Sequence, residues 1–327
     1  MNTTQAQLGA VLAVGGPELS GLLHRTEARL AEVAEGHGAE LARHASGTLS
    51  AGGKRLRPLL VFLCASGARD GRLVAAAVAV ELLHMATLVH DDVLDRAELR
   101  RGRPTVFAEG GRLAATATGD LLFSRAFAEL ATTGSEEAVR ALSAASSALA
   151  GGELMQREDA WSEDVTPERY LERCRLKTAS LFDASCRLGA VFGGRSDLAE
   201  RLGRFGERLG LAFQMLDDVL DVSGPTERTG KPRGADLLDG TVTLPLILAR
   251  RLDPELGELD LRSAVTDPAQ AAAACDRIAL TGALGEARRQ ALTHVAEAKA
   301  TLAGLQLPED RRTALDLVAD GVVERYA

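Results

Sequence analysis

The chain has 327 residues, 46% of them hydrophobic and 3% aromatic, and a formal net charge of −8. That length allows a sizeable core. The acidic balance argues against nucleic acid as a partner but not against a phosphorylated substrate, because local cations and bound metal outweigh net charge.

Apolar residues recur at helical spacing, predicting helices over 17–35, 38–50, 56–69, 71–97, 106–132, 135–159, 167–192, 195–222, 241–252, 267–280, 284–304 and 308–325. Pro58, Pro167, Pro245 and Pro308 fall in or next to first turns, where proline is tolerated. No Pro- or Ser-rich linker divides the chain, so it is read as one all-helical domain, 1–327. The longest apolar run, 73–89, is interrupted by Glu81 and His84 and reads as a buried helix, not a membrane anchor. Residues 1–14 contain no basic residue and no sustained apolar core. The four cysteines, Cys64, Cys174, Cys186 and Cys275, lack metal-ligand spacing. Both features lead to the expectation of a cytoplasmic protein with reduced thiols. Two polar, glycine-containing loops, 96–105 and 223–240, are candidate lids.

The sequence Asp-Asp-Val-Leu-Asp occurs twice, at 91–95 and at 217–221. Each copy ends a long apolar helical run and is followed by cations. Asp91 and Asp95 share a helix face, as do Asp217 and Asp221, because residues four apart lie one above the other. Carboxylates with water suit Mg²⁺, which keeps much of its hydration and bridges protein carboxylates to substrate phosphates.

Cations accompany the acids. Gly52-Gly53-Lys54-Arg55-Leu56-Arg57-Pro58 leads into a helix, with Lys54 and Arg57 three apart, and forms a candidate anion site. His84 lies two turns before Asp91 on its face, either donating to a phosphate or serving as a satisfied core histidine. Arg100 and Arg101 follow the first motif and could clamp diphosphate bidentately. Lys177-Thr178 lies inside a helix, Gln214 three residues before Asp217, and Lys231 in a Gly/Pro loop. Of the 38 basic residues only four are lysines, Lys54, Lys177, Lys231 and Lys299, and three fall in these segments. A compact ammonium and a planar guanidinium are not interchangeable at a crowded phosphate site. There is no Walker loop, no His-Glu-x-x-His helix and no Gly-x-Ser-x-Gly elbow. Glu81-x-x-His84 matches a di-iron half-motif once, without a second copy.

Taken in order, Gly52-Gly53-Lys54-x-x-Arg57-Pro58, both acidic motifs, Arg100-Arg101-Gly102, Gly119-Asp120, Gly152-Glu153, Lys177-Thr178 and Phe213-Gln214-x-x-Asp217-Asp218 resemble the trans-isoprenyl diphosphate synthases over most of the chain. The resemblance implies the isoprenoid synthase fold, a large antiparallel helical bundle around a deep central cavity, and a homodimer. It implies condensation of isopentenyl diphosphate with an allylic diphosphate. Asp91, Asp95 and Asp217 would hold about three Mg²⁺ ions, supported by Asp92, Asp218 and Asp221. Arg100, Lys177 and Lys231 would grip the allylic diphosphate. Lys54, Arg57, His84 and Arg101 would hold isopentenyl diphosphate, and Thr178 and Gln214 would offer oxygens near the cation. The chain departs from the family at Thr241, where many members have lysine, and Arg233 is the candidate substitute.

Ala86 lies five residues before Asp91, roughly 7.5 Å along the helix, and with the small Thr87 beside it the implied product is longer than the short chains, at about C30–C50. Alternatives are a short-chain C15–C20 synthase, a terpene cyclase and a non-catalytic partner subunit. A cyclase has no use for the isopentenyl site of Lys54, Arg57 and His84, and its second motif differs from the one here.

Overall fold

Helical spacing becomes helix almost throughout the computed structural model, which describes residues 3–35, 38–50, 53, 55–65, 71–100, 102–224 and 233–324. In chain order the helices are α1 (Thr3–Ala34), α2 (Ala39–Ser50), α3 (Leu56–Cys64), α4 (Gly71–Leu94), α5 (Val106–Ala131), α6 (Glu136–Glu158), α7 (Pro167–Cys174), α8 (Ser180–Phe192), α9 (Ala199–Ser223), α10 (Ala235–Leu238), α11 (Leu244–Leu252), α12 (Pro254–Gly257), α13 (Leu261–Ala264), α14 (Pro268–Leu280), α15 (Ala283–Leu302) and α16 (Glu309–Glu324). A π-helical turn, Arg175–Ala179, joins α7 to α8. Among the described residues the only sheet is an antiparallel ribbon of β1 (Leu99–Arg100) and β2 (Arg103–Pro104).

The chain forms two compact units. One comprises Met1–Ser146, Leu181–Gly206 and Thr301–Val318; the other comprises Ser147–Ser180, Glu207–Ala300 and Ala319–Ala327.

In the first unit α4 is the central element, packed by α1, α3 and α5. It is apolar on nearly every side, and a helix of that kind must be buried. It is long and apolar enough to cross a membrane, yet 78% of its apolar window is buried inside the protein. Phe62, Leu82, Leu83, Phe182 and Phe205 are fully buried there, each stabilising by about 1.5–3 kcal/mol. The helix expected from residue 17 begins at Thr3, with a break at Gly16 (φ 74°) before Pro17. Glycine adopts that left-handed geometry without a Cβ penalty.

Within 96–105, expected to be a polar lid, the described residues 96–100 and 102–105 form a fastened hairpin. Thr105 donates its hydroxyl to the Ala97 carbonyl (2.5 Å) and its amide to Glu98 O (3.0 Å), and its side chain caps α5 at Ala108 N (3.0 Å). Those bonds satisfy backbone groups at the helix junction. The other expected lid, 223–240, contains α10, and its residues 225–232 lie outside those described.

In the second unit Thr166 caps α7, accepting from Arg169 N at 3.2 Å, and Pro167 occupies the first turn. Tyr170 on α7 is fully buried. In the π turn Ser180 N donates to Arg175 O, an i→i+5 bond that displaces Lys177 and Thr178 from regular helical register. Such turns recur at functional sites.

Candidate active site

In the first unit the acidic motif closes α4. Asp91 is half-buried and Asp95 exposed, while Asp92 is only 4% exposed. Helix geometry separates them: adjacent residues diverge by about 100°, so Asp92 turns away from the side shared by Asp91 and Asp95. Arg100 meets it from the ribbon, with Nε at 2.8 Å and Nη2 at 2.7 Å from the same carboxylate oxygen. Burial pushes the Asp92 carboxyl up, opposed by Arg100, and the net shift is upward. Arg100, expected at diphosphate, is thus engaged by Asp92. Gly119 lets α5 approach the motif, since a Cβ there would come within 2.3 Å of the His90 ring. His90 Nε2 lies 3.2 Å from Asp120 Oδ1. This gives Gly119-Asp120 a physical reason.

His84 is half-buried, and Thr87 donates its hydroxyl to His84 O at 2.7 Å. Thr87 shares the side of α4 that carries Asp91. Ala86 is fully buried and turned about 140° from Asp91. Arg57 is half-buried with its guanidinium 4.7 Å from the Phe182 ring centroid, a cation–π contact that orients it. Its neighbour Arg55 bonds Glu81 (2.7 Å), Leu49 O (2.8 Å) and Glu27. Glu81 is therefore a buried partner of Arg55, and its match to a di-iron motif is accidental. Lys54, Arg101 and Lys231 lie outside the described residues.

In the second unit Asp217 is half-buried, and Asp218 and Asp221 are 4% and 3% exposed. Both oxygens of Asp218 accept short bonds, Oδ2 from the Tyr170 hydroxyl and Oδ1 from Gln214 Nε2, each at 2.7 Å. Gln214 Oε1 accepts from the Thr178 hydroxyl, also at 2.7 Å. Thr178 and Gln214, expected to present oxygens, spend one hydrogen each on this chain and keep lone pairs. Asp221 accepts from Asp236 N at 3.3 Å. Burial, then the neighbouring Asp236, push the Asp218 carboxyl up to about 8 against the lowering pull of Tyr170 and Gln214, with Asp217 adding to the rise. Carboxylates crowded in this way fit a divalent cation, which relieves their repulsion. Among the described residues no three His, Cys, Asp or Glu side chains form a ready-made metal cage. Mg²⁺ needs none where water and phosphate oxygens complete its shell.

Lys177 pairs with Glu153. Burial works to raise the Glu153 carboxyl, but Lys177 and Arg157 outweigh it and hold it below the usual range. A Cβ at Gly152 would come within 2.5 Å of Lys177 N, so only glycine lets α6 lie this close to the π turn. Arg233 bonds Asp276 (2.6 Å) and Val222 O. These bonds engage the residue expected as the substitute for the lysine missing at Thr241. Trp161 packs on Gly240 beside Thr241, with its amide donating to Gly240 O at 2.8 Å.

The polyprenyl synthetase family model matches residues 39–278. The chain belongs to this family. It is 39% identical over 302 residues to heptaprenyl diphosphate synthase component 2 of Geobacillus stearothermophilus, covering 91% of this chain and 94% of that one. It is 36% identical to the geranylgeranyl diphosphate synthase of Methanosarcina mazei, covering 88% and 90%. Its fold matches a polyprenyl synthase of Caulobacter crescentus, solved with calcium and isoprenyl diphosphate, at a TM-score of 0.89 and 36% identity, covering 94% and 96%. This polyprenyl synthetase has the all-α isoprenoid synthase fold and is a prenyltransferase of isoprenoid biosynthesis, a family that uses isopentenyl and allylic diphosphates.

Sequence reasoning missed Tyr170 and the role of Glu153. Tyr170 is 48 residues from Asp218 and carried no signal beyond being a rare aromatic in a polar helix. Glu153 was visible within Gly152-Glu153, but nothing there indicated that Lys177 is its partner.

Proposed function

We propose that this prenyltransferase is Mg²⁺-dependent and elongates an allylic diphosphate with isopentenyl diphosphate in trans, to a product of about C30–C50. The observation that carries this is the duplicated motif, each copy setting acids four residues apart on one side of a helix end, with the neighbouring Asp92 and Asp218 turned into the protein and bonded to Arg100 and Tyr170. Asp91, Asp95 and Asp217 would hold Mg²⁺, supported by Asp92, Asp218 and Asp221. The metal would supply positive charge to the departing diphosphate, where negative charge develops. The Caulobacter crescentus relative, solved with a divalent cation and isoprenyl diphosphate, supports that assignment.

Lys177 and Lys231 would grip the allylic diphosphate, with Arg100 helping while it steadies Asp92. Lys54, Arg57, His84 and Arg101 would orient isopentenyl diphosphate. As the allylic C1–O bond breaks, its electron pair leaves with the diphosphate. The C3–C4 double bond of isopentenyl diphosphate then attacks C1. Loss of a C2 proton to the departing diphosphate forms the new double bond. Thr178 and Gln214 lone pairs would face the positive charge, and exclusion of water protects it.

The long product is supported by small Ala86 and Thr87 and by similarity to a heptaprenyl synthase component. A homodimer is supported by large apolar side chains left outside the first unit on α5, Leu113 (83% exposed) and Phe123 (38%). The four cysteines are free and buried, which suits a reducing cytoplasm. The word "component" in that relative's name favours a second reading, a subunit needing a partner. Incubation with isopentenyl diphosphate, Mg²⁺ and allylic primers of increasing length tests both, with products identified by mass. Long product from the chain alone supports elongation, C15–C20 product makes it a short-chain synthase, and product only with an added partner supports the second reading.

A further inference from the structure

Tyr170 has no part in the chemistry proposed above, yet it is fully buried and its hydroxyl donates to Asp218 at 2.7 Å. We propose that Tyr170 is a positioning residue for the second acidic motif, acting through Asp218 as an anchor and not as a metal ligand. The inference rests on the metal–diphosphate reading of that motif.

Asp218 is turned about 100° along the helix from Asp217, and its two oxygens already accept from Tyr170 and Gln214. Tyr170 is itself held. The Arg173 guanidinium lies 5.5 Å from its ring centroid. Arg173 also bonds the buried Asp159 (3.3 Å) and Val242 O. One short helix, α7, thus ties the rotation of α9 to the segment after Thr241. Fixing Asp218 fixes how α9 presents Asp217 and Asp221. Misplacing such groups by about 1 Å is enough to lose roughly 100-fold in a reaction set up by geometry. Asp92 is held at the corresponding position of the first motif, there by the charged Arg100. The second motif does this with two neutral donors.

The anchor predicts an unusual pattern among isosteres. In Asp218→Asn the side-chain oxygen still accepts from Tyr170. Gln214 then flips, accepting from the new amide and donating to the Thr178 oxygen, so the chain of bonds survives with its direction reversed. Asp217→Asn has no such escape if Asp217 is a ligand.

The test is Mg²⁺-dependent binding of inorganic diphosphate to the full-length chain. It is followed by fluorescence of Trp161, the single tryptophan, which rests on Gly240 in the unit that holds this motif. Tyr170→Phe should weaken binding about 10-fold, Asp218→Asn less than about 5-fold and Asp217→Asn more than about 100-fold. Tyr170→Phe added to Asp218→Ala should cost nothing further, since Tyr170 acts through residue 218. In turnover, Tyr170→Phe should raise KM for the allylic substrate and leave that for isopentenyl diphosphate within about twofold.

Wild-type affinity in Tyr170→Phe, equal damage to both substrates, or Asp218→Asn as damaging as Asp217→Asn would each overturn the proposal. Should Tyr170→Phe not fold, the comparison of the two Asp→Asn variants decides alone. A wild-type chain that binds Mg²⁺–diphosphate but forms no product removes the functional reading and leaves the anchor standing. One that binds none overturns both.

Discussion

Arg100 holds Asp92, eight residues before it, through Nε and Nη2 at 2.8 and 2.7 Å. A buried carboxylate deprived of such a partner is costly, and the end of α4 would shift to rehydrate it. Arg100→Met should lower kcat/KM for the allylic substrate about 100-fold. Arg100→Lys should recover only part of this, because an ammonium does not reproduce the two-nitrogen grip. Steady-state kinetics of the two variants check this; a fully active Arg100→Met would contradict it.

Product length should respond differently at two neighbouring positions. Thr87 lies on the Asp91 side of α4, whereas Ala86 is fully buried. Phenylalanine at either should shorten the product while condensation continues. Ala86→Phe puts a ring at a fully buried position, where overpacking costs about 1–3 kcal/mol of stability; the half-buried Thr87→Phe should escape most of that. Product mass spectra and thermal midpoints separate the two effects.

Acid should loosen the packing of α6 on the π turn. Glu153 is held below the usual carboxylate range because Lys177 and Arg157 outweigh its burial. A depressed carboxyl stabilises the fold above its ordinary titration range, and that contribution is lost as pH falls through the range toward the folded value. The wild-type advantage in urea midpoint over Glu153→Gln should be full at neutral pH and vanish in acid. An advantage that persists in acid would contradict the pairing.

What the sequence discloses follows from distance along the chain. The helices and the two acidic motifs are local patterns, periodic or repeated, and were legible. So were the proline starts, as at Pro167 and Pro245. The ribbon at 99–104 was missed because two-residue strands leave no alternation to detect. The division of labour inside each motif was implicit in the turn of about 100° per residue, but which groups meet Asp92 and Asp218 was not. The place of Arg100 after the motif points to diphosphate, whereas its bond to Asp92 depends on the hairpin and has no local signal. Tyr170 and Glu153 reach their partners across 48 and 24 positions, on separate segments. Gly119 and Gly152 could be recognised as family features, while their reason, a close approach to His90 and to Lys177, appears only in three dimensions.

In the proposed function both acidic motifs serve one Mg²⁺-dependent condensation. This is tested most directly by turnover of Asp91→Asn and Asp217→Asn beside wild type, across Mg²⁺ concentrations. The expected result is wild-type activity abolished by chelation and a loss of at least about 100-fold in each variant, partly offset at high Mg²⁺. Wild-type turnover in either variant would contradict it, because one motif would then be dispensable.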